Sequence, residues 1–267
     1  MAEPSHDTII TLGNDIIEAS VDAQGAYVNS FRFRDGPDLL LPRATYETSA
    51  GPKLRGTHIC LPNFGPAPDD SGLRQHGFAR ESLWRAATAT NNYVILNLDI
   101  PPEGQAGIPE AYAGLQSSLR YDFHCNRPGK AWFSVLLALK NSGSAPMHIA
   151  PGFHPYFALP DGTESIKVLP EGGEGFSARL DELAGSRYDM LEKTGEQVTV
   201  KLGSVAIRIR SSAVMAGLTT WTDAPASYVC VEPTQCNNDF VRPEPSTGTI
   251  LVPGNTTYYQ STFTWEL

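Results

Sequence analysis

Long apolar runs are missing from this chain of 267 residues. The most extended one, Ala131 to Leu139, falls far short of the roughly 20 residues that a membrane-crossing helix needs. Basic blocks are missing too. The formal charge is −9, with acids spread along the whole length, which argues against non-specific binding to nucleic acid or to anionic membranes while leaving room for local cationic sites. The four cysteines, Cys60, Cys125, Cys230 and Cys236, show no CxxC spacing, so no zinc site is expected. Free thiols of a cytoplasmic protein are the simplest reading, with a Cys230–Cys236 bridge as the alternative. The segment Met1 to Asp7 has no basic stretch leading into an apolar core, so no secretory signal is expected. Helical periodicity is weak throughout, and only Ala178 to Ala184 suits a short helical turn. Neither an internal repeat nor a compositional break divides the chain, so one domain over residues 1–267 is expected.

Turn formers and short strands fill the space left by those absences. The 24 glycines and 21 prolines make up about 17% of the chain, against roughly 12% in ordinary usage. Thr8 to Leu12 and Asp15 to Val21 flank Gly13-Asn14, a dipeptide suited to a tight hairpin. Tyr27 to Phe33 alternates with the period of a half-buried strand. Trp84 to Thr90 and Tyr93 to Ile100 surround Asn91-Asn92, and Leu119 to Cys125 and Ala131 to Lys140 surround Asn126 to Gly129. Val198 to Leu202, Val205 to Arg210, Val214 to Trp221, Tyr228 to Val231 and Thr256 to Trp265 continue the pattern. The stretch from Pro42 to Arg80 shows little strand signal but carries Arg55, His58, Asn63, Phe64, His76 and Arg80, as a long polar loop over a scaffold does. The fold class that follows is all-β, a single-domain antiparallel β-sandwich.

Three segments carry titratable groups in unusual company: Gln75-His76-Gly77-Phe78-Ala79-Arg80, His154-Pro155-Tyr156-Phe157 and Val231-Glu232-Pro233. An imidazole titrates near neutrality and gives up a proton, and a carboxylate accepts one. Opening a cyclic hemiacetal requires both operations on neighbouring oxygens and needs no metal or cofactor. Each residue also has an ordinary structural reading. His154, held extended by Pro155, could cap a loop; Glu232 could accept backbone hydrogen bonds at a strand end; His76-Gly77 could be a turn and Arg80 a surface ion-pair partner. His6, His58, His124 and His148 sit in no such segment and read as structural or solvated. Trp84, Trp132, Trp221 and Trp265 read mostly as core, although Trp221, Phe64 or Tyr156 could stack on a ring.

The ordered set of segments resembles the galactose-mutarotase superfamily, the aldose 1-epimerases and their hexose-6-phosphate 1-epimerase relatives. Leu12-Gly13-Asn14-Asp15 through Gln24-Gly25-Ala26 to Leu39-Leu40-Leu41-Pro42 is similar to the family's first sheet. Arg55-Gly56, Pro62-Asn63-Phe64-Gly65, His76 to Arg80 and Trp84 resemble its arginine and histidine-glycine segments. His154 to Phe157 and Val229 to Pro233 match its two catalytic segments. The resemblance spans the chain and implies a β-supersandwich with a concave sugar face. It implies His154 as general acid at the ring oxygen and Glu232 as general base at the C1 hydroxyl. Arg55 and His76 would be substrate-binding residues, Arg80 a flanking or phosphate contact, and Asp189, in Tyr188-Asp189-Met190-Leu191, the family's hydroxyl-binding aspartate.

One departure concerns the substrate. Free-aldose mutarotases usually place asparagine before the binding arginine, where this chain has Leu54. Lys53, Arg55, Arg74, Arg80 and Arg85 give the stretch a local positive balance, suited to phosphate. Against this, Thr57-His58 stands where small apolar residues are expected after Arg55-Gly56, and Trp221-Thr222-Asp223-Ala224-Pro225 matches only loosely. The implied partner is a small-molecule sugar or sugar phosphate, with no oligomeric state implied. A glycoside hydrolase would need two carboxylates roughly 5–10 Å apart, and no second one stands out beside Glu232. A non-catalytic sugar-binding protein on the same fold is the other alternative.

Overall fold

Alternation along Lys130–Asn141 sets the centre of the structure. Ala131, Phe133, Val135, Leu137 and Leu139 are buried while the residues between them reach the surface, because successive side chains of a strand point to opposite faces. Leu115–Arg127 pairs antiparallel on one side and Thr256–Glu266 on the other. Phe133 lies opposite both Phe123 and Phe263, with stacked rings 5.1 and 5.8 Å away. This aromatic row stabilises the register, since a one-residue slip would turn all three rings to the solvent face.

The computed structural model describes residues 8–48, 50–127, 129–184, 187–190, 197–235 and 249–267. Among them, nine strands form the sheet built on that row. Its order is Phe176–Arg179, Ser165–Pro170, Gln197–Leu202, Val205–Ser211, Thr256–Glu266, Lys130–Asn141, Leu115–Arg127, Tyr93–Asp99 and Arg85–Ala89. A ten-stranded sheet packs against it. Along its main path run Ile9–Gly13, Ile17–Asp22, Tyr27–Phe33, Asp38–Leu40, Tyr156–Ala158, Tyr228–Thr234, Gly152–His154 and His58–Cys60. Gly217–Trp221 pairs with Tyr228–Thr234 from the side, and Arg187–Met190 pairs with Gly217–Trp221.

The second sheet has one face in the core. Phe31 and Phe157 each pack on Trp265, with centroids 5.8 Å apart in both cases, and Ile59, Phe153, Val229 and Val231 join the same cluster. Period-two alternation then sends their neighbours His58, Cys60, His154, Tyr156, Tyr228, Cys230 and Glu232 to the opposite face. Those seven residues are nevertheless buried, so polar and titratable groups are packed on this face too.

The strands expected at both ends of the chain are present. The reading of Pro42 to Arg80 as loop with little strand is corrected. Ala44–Thr48 pairs with Gly51–Arg55 as a hairpin, and His58–Cys60 joins the ten-stranded sheet. Apolar alternation is absent from the hairpin because most of its residues are exposed. The strand His58–Cys60 is only three residues long and buried on both faces, which leaves no period to read. Leu180–Leu183 is a single helical turn, within the expected Ala178 to Ala184. Among the described residues no helix is long and apolar enough to cross a membrane.

Candidate active site

Tyr228–Thr234 is buried along its whole length and supplies the floor of the site. Cys230 lies opposite Trp221 on one side and Tyr156 on the other, and Glu232 lies opposite Thr219. The short strand Gly152–His154 meets the far end through Gly152 and Thr234. This register brings His154 Nε2 to 3.3 Å from Glu232 Oε2, with the two side chains only 6% and 2% exposed. A carboxylate in that environment keeps its charge only with help from neighbouring groups. A protonated His154 at that distance is one such group, through its charge.

Two further histidines surround His154. His58, opposite it on the adjacent strand, stacks on its ring at 4.8 Å, and Tyr156 stacks at 4.8 Å as well. His76 meets it edge-on at 5.2 Å. His58 Nδ1 lies 2.9 Å from the Gly56 carbonyl, which can only accept, so this nitrogen carries the hydrogen. Burial lowers the pKa of all three imidazoles. For His58 and His76 the Arg80 charge is the next cause, and for His154 the other two histidines come before Arg80 and Arg55. His76 falls to about 3 and is neutral at physiological pH. For His154 the adjacent Glu232 carboxylate acts in the opposite sense, favouring the protonated ring.

The His76 ring is held by its own loop. Gly65 N–H donates to Nδ1 at 3.1 Å while His76 N–H donates to the Gly65 carbonyl at 2.9 Å. An Nδ1 that accepts leaves the hydrogen on Nε2, beside the Gln75 side-chain amide at 3.3 Å, which must then turn its oxygen to it. The buried amide of Asn63 donates to the Gly65 carbonyl at 2.8 Å and to the Arg74 carbonyl at 3.3 Å. It thereby ties both ends of the loop together. His76 itself sits at φ +64°, a left-handed conformation that costs a non-glycine residue energy and that recurs at functional sites.

Arg55 closes another side of the site. Its Nη2 and Nε both donate to the Asp223 carboxylate, and Nε also donates to the Tyr228 hydroxyl at 3.0 Å. Tyr228 in turn donates to Asp223. The guanidinium lies 5.6 Å over the Trp221 ring. Burial opposes its charge, but the hydrogen bond to Asp223 prevails and its pKa stays above the ordinary arginine value. The result is a charge-matched, pre-oriented donor with 19% of its side chain exposed.

Four of the residues expected from the sequence, Arg55, His76, His154 and Glu232, therefore converge. Arg80 lies beside them, giving Nη2–H to the Gln75 carbonyl at 3.0 Å, and it has no carboxylate partner among the described residues. Asp189 lies opposite Thr219, which lies opposite Glu232, two strands away along one row; its side chain is outside the described residues. His58, read as structural or solvated, is a buried member of the histidine cluster. Its three-residue strand is buried on both faces and offers no local signal. Asp223, two residues past the strand that ends at Trp221, is a site residue that the sequence reading does not single out. His154, Cys230 and Glu232 also bring an imidazole nitrogen, a thiol and a carboxylate oxygen within 4.8 Å of one another.

Comparison with known proteins bears on the fold and the family. Among solved structures, the Slr1438 protein of Synechocystis sp. PCC 6803 superposes with a TM-score of 0.77 at 19% identity, covering 100% of this chain and 98% of that one. A galactose mutarotase-like protein from Lactobacillus casei gives 0.74 at 19% identity, covering 97% and 100%. A galactose mutarotase related enzyme from Lactobacillus acidophilus gives 0.71 at 14% identity, covering 97% of each chain. These likenesses establish the galactose mutarotase-like β-sandwich fold. No curated protein matches significantly. The family of aldose 1-epimerases matches residues 8–175, and the chain belongs to that family.

Proposed function

We propose that the protein interconverts the α and β anomers of an unphosphorylated hexose, with His154 as the acid and Glu232 as the base. The observation that carries this reading is the 3.3 Å approach of His154 Nε2 to Glu232 Oε2 in a buried site. The pair must hold one proton beyond neutral imidazole and carboxylate. Protonated His154 gives its proton to the ring oxygen, Glu232 removes the proton of the C1 hydroxyl, and the C1–O5 bond breaks. After rotation about C1–C2 the aldehyde closes with the roles reversed, and the pair is restored. Burial disfavours charge on the imidazole, so protonated His154 is a stronger acid here than in water. His76, with its hydrogen on Nε2, donates to a sugar hydroxyl or to the ring oxygen, and Arg55 donates through the N–H groups that Asp223 leaves open.

The unphosphorylated substrate is supported by Asp223. A guanidinium already matched by a carboxylate offers directional donors to neutral hydroxyls but little net attraction to a dianion. Hexose 6-phosphate is the second reading, favoured by Arg80, a cation in the site without a carboxylate partner among the described residues. Polarimetry on fresh α-D-glucose, α-D-galactose and α-D-glucose 6-phosphate tests both. Anomeric equilibrium is expected to arrive faster with the protein than without it, and faster for a free hexose than for the phosphate. Spontaneous rates on every sugar would instead favour a non-catalytic sugar-binding protein.

Asp223→Asn provides a sharper version of the same test. Releasing Arg55 from its counter-charge is expected to raise kcat/KM for hexose 6-phosphate relative to free hexose at least about tenfold, the effect of about 1.4 kcal/mol. An unchanged ratio would remove Asp223 from any role in substrate choice.

A further inference from the structure

Cys230 has no part in the reaction proposed above, yet its thiol is on the same face as the acid–base pair. Cys230 and Glu232 are two residues apart on one strand and so point the same way, and His154 reaches in from the neighbouring strand. Among the described residues, these three bring a nitrogen, a sulfur and an oxygen donor within 4.8 Å of one another, all buried. We propose that His154, Cys230 and Glu232 form a binding site for a thiophilic divalent cation of the Zn²⁺ class, which shuts the enzyme off by occupying its acid and base.

The geometry suits that class of ion. Tetrahedral Zn²⁺ with nitrogen and oxygen ligands at about 2.0–2.1 Å sets an edge of roughly 3.3 Å between them. His154 Nε2 and Glu232 Oε2 already stand 3.3 Å apart. The sulfur, within 4.8 Å of both other donors, has to close by at most about an ångström to complete the tetrahedral edges. A thiolate and a carboxylate then balance the double charge of the ion, whose fourth position stays open to water or a sugar hydroxyl. Mg²⁺ and Ca²⁺ favour all-oxygen shells and do not fit.

Two features limit the affinity to that of an inhibitor. Burial and the Glu232 charge raise the pKa of the Cys230 thiol, so the ion must displace a tightly held proton. His154 Nδ1 has no hydrogen-bond partner among the described residues, whereas resident metal ligands are usually held through their second ring nitrogen. The proposal uses the same pair as the epimerase reading, but binding can be read without turnover.

Titration of the metal-free protein with Co²⁺ tests it. Stoichiometric binding with a thiolate-to-cobalt charge-transfer band in the near ultraviolet is expected, with competition by Zn²⁺ and by saturating sugar. Cys230→Ala should abolish the band, and Cys60→Ala should keep it. In parallel, micromolar Zn²⁺ should suppress mutarotation of the wild type reversibly on chelation, with the inhibiting concentration rising at least about tenfold in Cys230→Ala. Absence of Co²⁺ binding, or binding without the charge-transfer band, would overturn the site. If Cys230→Ala fails to fold, competition by sugar in the wild type decides in its place: bound Co²⁺ that saturating sugar leaves undisturbed would overturn the site as well. A charge-transfer band accompanied by undiminished mutarotation would uphold the metal site and overturn the assignment of His154 and Glu232 as acid and base.

Discussion

Glu232→Gln is expected to lower turnover at least about a hundredfold while leaving the fold intact. The substitution preserves size and one acceptor oxygen but removes the basicity on which proton abstraction from the C1 hydroxyl depends. Positioned proton transfer contributes roughly 10²–10⁴-fold in rate, so the loss should fall in that range. Stability should move little or rise. Glu232 is 2% exposed, and a carboxylate held there is costly to desolvate. Its partner His154 is pushed towards neutrality by burial and by the surrounding histidines and arginines, so removing the carboxylate leaves no stranded full charge. A variant that melts at or above the wild-type temperature and has lost its turnover would show a charge kept for function at the expense of stability. Stopped-flow polarimetry and thermal unfolding decide it. Near-normal turnover would end the role of Glu232 as base.

The parts of this site that could be read from the sequence share one property: the chemistry-bearing residue follows or interrupts a strongly patterned strand. Glu232 comes at the end of Tyr228-Val229-Cys230-Val231, and His154 precedes a proline. Long strands such as Lys130–Asn141 and Thr256–Glu266 were legible because each has one face in the core and one in water, giving a clean period of two. Legibility failed where that contrast disappears. Gly152–His154, Tyr156–Ala158 and His58–Cys60 are three-residue strands covered on both faces, so their burial comes from distant segments and leaves no local period. The burial of His58 is not legible for that reason. Asp223 was missed for another. Its partner Arg55 lies 168 residues away, and an ion pair over that separation leaves no trace in local pattern.

Gly77→Ala is expected to cost about 3–5 kcal/mol of stability and most of the activity, although it adds one methyl group to a loop. Gly77 is at φ +70°, where any L side chain pays roughly 1–2 kcal/mol. A Cβ there would lie 2.0 Å from the Leu61 carbonyl oxygen and 2.7 Å from the Pro62 ring. Neither is the end of a flexible side chain, so the backbone itself must move. That same carbonyl accepts the N–H groups of Phe78 and Ala79 at 3.0 and 3.2 Å, and weakening these bonds adds about 1 kcal/mol each. A domain of this size loses roughly 2–4 °C per kcal/mol, so the melting temperature should fall by about 10 °C. The displaced backbone carries His76 with it, and its ring then loses the donor from Gly65 that fixes its tautomer. A misplacement of about 1 Å at such a group costs on the order of a hundredfold in rate. Gly162→Ala is the control, since Gly162 has φ +74° with nothing within 4 Å of the added Cβ. It should bear the left-handed cost alone and keep full turnover. Equal, small effects at both positions would mean that the His76 loop is held by something other than the tight contact between Gly77 and Leu61.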